Sequence, residues 1–251
     1  MPSVDASFGW TAALTALAGV ALAAFVVAWI VTDVAHVART PYVGVLVMWV
    51  AGLVVAALAW SGASATAFIT TNVEWALVAG VVAAAMSLPL VRRMPRSPHE
   101  RGGALARTIA WEGVAYAAAE GVLLAALPVA LAWVAFRDLG WTDGTWARVG
   151  SGALAVAAAV AVVLVHHLGY REFRSRGSRT KLAGALVVCG LQAVAFLVTG
   201  NVLAPVIAHV VLHIALVLRG VEMPPAARGT LIEMPSATGV HAPRAAQHDV
   251  A

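Results

Sequence analysis

The chain has 251 residues, 61% of them hydrophobic and only 11% charged, where a soluble domain carries about 25% charged residues. With a mean hydropathy of +0.88, this excludes an ordinary soluble globule and points to an integral membrane protein whose first partner is the lipid bilayer. The net charge of +4 does not indicate a nucleic-acid partner, because fifteen of the sixteen basic residues are arginine and most of them sit in two short loops.

Seven apolar segments follow along the chain, each close to the ~20 residues that cross a bilayer as a helix. Helix is the spanning structure that continuous apolar runs of this length allow. The first covers residues 10–31. No Lys or Arg precedes it, so it lacks the basic start of a cleaved signal peptide and is expected to remain as a span. The second, residues 42–60, leads into the uncharged loop SGASATAFITTN. The third, residues 73–91, leads into RRMPRSPHERGGALAR, with five Arg and one Glu. The fourth, residues 108–136, is long and holds Pro128, which predicts a tilt or kink. It is followed by RDLGWTDGTWAR, in which two Arg balance two Asp. The fifth, residues 150–168, leads into YREFRSRGSRTK, with four Arg, one Lys and one Glu. The sixth and seventh, residues 182–198 and 202–218, are separated only by a tight turn at Thr199, Gly200 and Asn201. The tail, residues 221–251, is rich in Pro and Ala without an apolar period and is expected to be disordered. Cys189 is alone, so no intrachain disulfide forms, and it is expected to be a buried packing thiol.

Arginine and lysine in short loops mark the cytoplasmic side. Seven crossings put both arginine-rich loops on one side and the two neutral loops on the other. The expected fold is therefore all-α: a polytopic transmembrane bundle of about seven helices, N-terminus outside, C-terminus and tail in the cytoplasm.

Ionisable groups inside the bilayer are rare and are functional candidates by default. Here they are Glu112 and Glu120 in the fourth segment, His166 and His167 at the end of the fifth, and His209 and His213 in the seventh, with Gln192 of the sixth as a weaker polar addition. A rise of ~1.5 Å per residue places all of them in the cytoplasmic half or near the midplane, as one cavity open to the cytosol would need. His209 and His213 are four apart and share a helix face. His166 and His167 diverge by ~100°, so only one of them is expected to point inward. Glu112 is shallow and Glu120 deep, which suits one carboxylate for chemistry and the other for support. The bland readings are interfacial histidines at a helix end and hydrogen bonds between helices.

The stretch GNVLAPVIAHVVLH, residues 200–213, resembles the last motif of the CAAX protease and bacteriocin-processing (CPBP, or Abi) intramembrane proteases, with His209 as the motif histidine and His213 where Asn is usual. VVLVHH upstream is similar to the family's F-x-x-x-H motif, with Val162 in the Phe position and His166 as the match. AAEGVLLA gives Glu120 of the family's E-E-x-x-x-R motif, with Ala119 and Leu124 in place of the second Glu and the Arg. The resemblance covers roughly residues 105–220, leaving residues 1–104 as a separate N-terminal set of three helices and residues 221–251 as the tail. It implies a helical bundle with a cytosol-facing polar cavity in a bacterial plasma membrane. It also implies a peptidase in which Glu120, His166, His209 and His213 activate water against a peptide bond, with Glu112 and His167 in support. The substrate would be a protein or peptide, with prenylated peptides among the candidates.

The chemistry stands beside the resemblance. Water attack on an amide needs a base, a stabiliser for the developing oxyanion and an ordered, dry site. Glu120 suits the base. His166 and His209 suit oxyanion donors, or ligands with His213 for Zn or another divalent metal. Two other readings stay open: a catalytically silent membrane scaffold or binding protein, suggested by Ala119 and Leu124, and a b-type haem protein with histidine axial ligands.

Overall fold

The computed structural model describes residues 9–62, 64–98 and 100–221; apart from Val221, the tail lies outside the described residues. Seven long helices and one short one form an all-helical bundle, with no strand among the described residues. They are α1 Trp10–Val34, α2 Arg39–Ser61, the short α3 Ala65–Thr70, α4 Val73–Arg93, α5 Gly102–Asp138, α6 Thr145–Gly169, α7 Arg179–Thr199 and α8 Leu203–Leu218. Six of these are long and apolar enough to cross a membrane. α8 has 16 residues and spans about 24 Å, short of the ~30 Å hydrocarbon core. The chain is an integral membrane protein of polytopic helical architecture.

Most helices outrun the apolar stretches that announce them. α2 starts at Arg39, α5 at Gly102 and α6 at Thr145. Hydropathy marks the thickness of hydrocarbon, whereas a helix continues into the interface for as long as its backbone pairs with itself. α3 has no apolar period to announce it. It is capped by Ser64, whose hydroxyl accepts the Ala67 N–H at 3.4 Å.

α5 is the axis of the bundle. Of its most apolar stretch 72% is buried, against 17–39% in the other five candidate spans. α1, α2, α6, α7 and α8 all lie against it, and α8 is flanked by α4, α5 and α7. Where α4, α7 and α8 meet, one buried cluster is all alanine, Ala76, Ala83 and Ala84 on α4, Ala195 on α7, Ala204 and Ala208 on α8, and a second is branched, Val91, Val188, Leu212 and Leu216. Such small side chains let helix backbones approach where lipid gives no hydrophobic drive to association. α1 and α4 thus pack directly on helices of the second half of the chain.

Two wide π turns interrupt α5, at Ile109–Tyr116 and Val122–Ala126, and bracket the five residues Ala117–Gly121. In the second, the Leu127 N–H reaches back five residues to the Val122 carbonyl. A proline ring collides with the preceding turn of an ordinary α-helix, and a wide turn relieves that collision. The distortion expected at Pro128 takes this form, and the helix continues to Asp138.

The two ends of the bundle are tied by polar contacts. At one end Gly200 closes α7 in the left-handed conformation at φ 64°. The buried Asn201 then donates to the Ile69 and Thr71 carbonyls at 2.8 and 2.6 Å and accepts the Leu203 N–H at 2.8 Å, pinning the α3 loop to the start of α8. At the other end Arg174 pairs with Asp33, and Arg219 donates to the Met94 and Arg92 carbonyls, both at 2.5 Å.

Candidate active site

Glu120 lies between the two π turns of α5 and is 5% exposed. Its neighbour Gly121 is what lets α8 come close. A Cβ there would sit 3.1 Å from the Pro205 carbonyl oxygen, 3.2 Å from the Val206 Cα and 3.3 Å from the His209 Cβ. With only hydrogen at that point, three imidazoles converge on one carboxylate. His209 Nε2 is 3.2 Å and His213 Nε2 3.3 Å from Glu120 Oε2, and His166 Nε2 of α6 is 3.5 Å from Oε1. The Tyr116 hydroxyl, one turn earlier on α5, donates to Oε1. The three histidines are 1–5% exposed.

The far sides of the rings fix their protons. His209 Nδ1 is 2.6 Å from Gln192 Oε1, an acceptor, so Nδ1 carries hydrogen. His166 Nδ1 is 3.3 Å from the Ala24 carbonyl oxygen and carries hydrogen for the same reason. In neutral rings the Nε2 atoms then present lone pairs, and His166 Nε2 accepts from the Tyr170 hydroxyl at 3.1 Å. These lone pairs nevertheless face a carboxylate. Lone pair against carboxylate is repulsive, and a proton shared between Glu120 and an imidazole, or a cation at the centre, relieves it; His213, whose Nδ1 has no partner, can instead donate from Nε2.

The donor set fits a divalent metal. Ligand atoms of Glu120, His209 and His213 all lie within 4.8 Å of one another. The 3.2 and 3.3 Å between histidine nitrogen and carboxylate oxygen are close to the edge of about 3.3 Å of a tetrahedron with ~2.0–2.1 Å bonds. Gln192 supplies the outer partner that orients a ligating histidine. His213 Nδ1 and Gln192 Nε2 are buried without a hydrogen-bond partner, as if a further polar group belonged beside them. This grouping joins His209 and His213 of the expected ligands to Glu120. Glu120 stands in place of His166, whose Nε2 is turned to the other carboxylate oxygen and to Tyr170. Glu120 also occupies the space between His166 and His209, where a haem iron would have to sit.

The remaining expected residues fall outside this first ring. His167 points away, its Nδ1–H donating to the Val163 carbonyl at 2.8 Å and its ring edge-on to Phe173 at 4.7 Å. Glu112 takes the Arg39 Nε at 3.3 Å. The Arg39 guanidinium lies 3.9 Å from the Tyr116 ring centre, so Glu112 acts on the site through Arg39 and Tyr116.

Sequence reading overlooked the aromatic wall. The chain has three tyrosines, and all three meet here. Tyr42 of α2 bonds the Tyr170 hydroxyl, which is 3.5 Å from the Tyr116 hydroxyl, and the Tyr116 ring is 5.2 Å from the His213 ring. Tyr42 follows Arg39 by three residues and shares its helix face, the one signal that could have marked both. Burial pushes the Tyr170 phenol well above its ordinary pKa, so it stays a neutral donor. Comparison of the chain with protein-family models, curated proteins and solved structures found no match.

Proposed function

We propose that the chain is a membrane-embedded peptidase of the CPBP type, with Glu120 as its base. The observation that carries this reading is a buried carboxylate held by three histidines and a tyrosine inside a membrane bundle. A structural carboxylate at that depth needs one partner, and this one has four.

Tyr116 fixes Oε1 and leaves Oε2 toward His209 and His213 as the face that works on a substrate. Glu120 takes a proton from the attacking water as the new C–O bond forms, then delivers it to the departing amine as the C–N bond breaks. The Tyr170 hydroxyl, and His166 when protonated, are donors within reach of the developing oxyanion. Burial excludes competing water and strengthens each of these contacts. Should the cluster hold a divalent metal such as Zn, Glu120, His209 and His213 would be its ligands, and the metal would stand in for the base by lowering the pKa of the nucleophilic water and polarising the scissile carbonyl. Residues near the arginine-rich loops form the site, so a peptide reaching it from the cytoplasm, prenylated peptides included, is the substrate class proposed.

The test is cleavage of a panel of membrane and prenylated peptides by purified protein, alongside Glu120→Gln and metal analysis. Cleavage by the parent protein that falls at least a thousandfold in Glu120→Gln is expected. Cleavage untouched by the substitution would overturn the assignment. A parent protein inert on every substrate would favour the second reading, a silent membrane scaffold. One observation favours that reading: Glu120, His166, His209 and His213 are each at most 5% exposed.

A further inference from the structure

α2 leans on α5 through its first half only. Its buried residues are Arg39, Tyr42, Val43, Leu46 and Val50, and none follows Val50. Beyond that point α2 and α5 separate around an apolar cavity of about 250 Å³, closed at one end by the α3 loop. On α5 its lining runs from Val122, through Ala126 and Ala130, to Arg137. Fifteen residues at ~1.5 Å each make this about 22 Å. The cavity starts one short step above Glu120 and ends at the loops opposite the arginine-rich ones, with Trp60 and Arg137 at its mouth.

Its length and depth select an occupant. Water is excluded by the apolar wall. Half the hydrocarbon thickness is ~15 Å, so a groove about 22 Å long reaches from mid-bilayer to the headgroups, the extent of one acyl chain. At headgroup depth stands Arg137, a guanidinium whose planar fork suits phosphate.

We propose that this groove binds one acyl chain of a phospholipid from the leaflet opposite the arginine-rich loops, with the lipid phosphate on Arg137. The site is independent of the peptidase reading. It places a lipid tail against Val122, on the same helix as Glu120 and two residues from it.

Native mass spectrometry of the full chain, exchanged from phosphatidylglycerol nanodiscs into detergent, tests this. One lipid per chain should survive washing. Ala130→Trp, which fills the groove, should reduce its occupancy at least tenfold, and Arg137→Gln at least threefold, while α-helical circular dichroism is unchanged. Equal retention in the parent and in Ala130→Trp overturns the groove. Retention lost in Ala130→Trp but unaltered in Arg137→Gln overturns the phosphate contact, and a retained peptide in place of lipid overturns the choice of occupant. Should Ala130→Trp fail to fold, Ala126→Leu with the same readout replaces it.

Discussion

A carboxylate taken out of water costs several kcal/mol unless its charge is met. At Glu120 the compensation comes from groups that must themselves be oriented, and Gln192 does this for His209. Leu in place of Gln192 leaves the His209 Nδ1–H without an acceptor and frees the ring to turn. Loss of such an outer partner typically weakens metal affinity 10–100-fold. Gln192→Leu is therefore expected to lower Zn affinity by that factor, and competition with a chelator measures it. Unchanged affinity would show that His209 binds no metal. Under the proposed function, Arg39→Lys is expected to reduce turnover about tenfold with metal content intact, because an ammonium has neither the planar group that lies over the Tyr116 ring nor the Nε–H that meets Glu112. Steady-state cleavage beside metal analysis reads both. At this scale the sequence is legible where residues are chemically out of place. Glu120, His209 and His213 stand out because ionisable groups are costly in hydrocarbon. Tyr42, Tyr116 and Tyr170 do not, since tyrosine belongs equally to interface belts, and their meeting depends on three helices whose mutual rotation no local pattern encodes.

Among the elements, hydropathy announces the long helices and misses what joins them. The segments at residues 73–91 and 182–198 became α4 Val73–Arg93 and α7 Arg179–Thr199, within a turn at each end. α3 was illegible because six residues hold too little periodicity to read. The π turns of α5 were illegible as well, although Pro128 hinted at the second. The role of Asn201 emerges only in three dimensions. Read as turn chemistry, it is a buried clamp with three hydrogen bonds across two loops. Its loss takes the donors from the part-buried Ile69 and Thr71 carbonyls, and two such hydrogen bonds are worth about 1–3 kcal/mol net. Asn201→Ala is expected to lower the melting temperature in detergent by roughly 2–12 °C, at about 2–4 °C per kcal/mol. Because α8 carries His209 and His213, the same substitution should also loosen the cluster around Glu120. A melting curve that coincides with the parent's would remove Asn201 from the list of anchors.

For the molecule as a whole, the bundle must sit in the membrane so that the site faces one aqueous side. Arg39 and Tyr42 open α2, and His166 and Tyr170 close α6, so the site lies toward the end that carries the arginine-rich loops. The opposite end carries Arg137, Asp138, Asp143 and Arg148 in balance, with Asp138 accepting the Trp10 N–H at 2.6 Å. The excess of arginine predicts that the first end faces the cytoplasm, and under the proposed function a cytosolic substrate then meets Glu120 on a short path. Single cysteines test the arrangement in a Cys189→Ala background, where the native thiol is buried and removed. Ser97 and Asp143 are exposed and lie at opposite ends, which makes Ser97→Cys and Asp143→Cys suitable reporters. In intact cells an impermeant maleimide should label Asp143→Cys fully and Ser97→Cys only after lysis. Labelling of Ser97→Cys from outside would invert the bundle and put the site, with any substrate it takes, on the outer face.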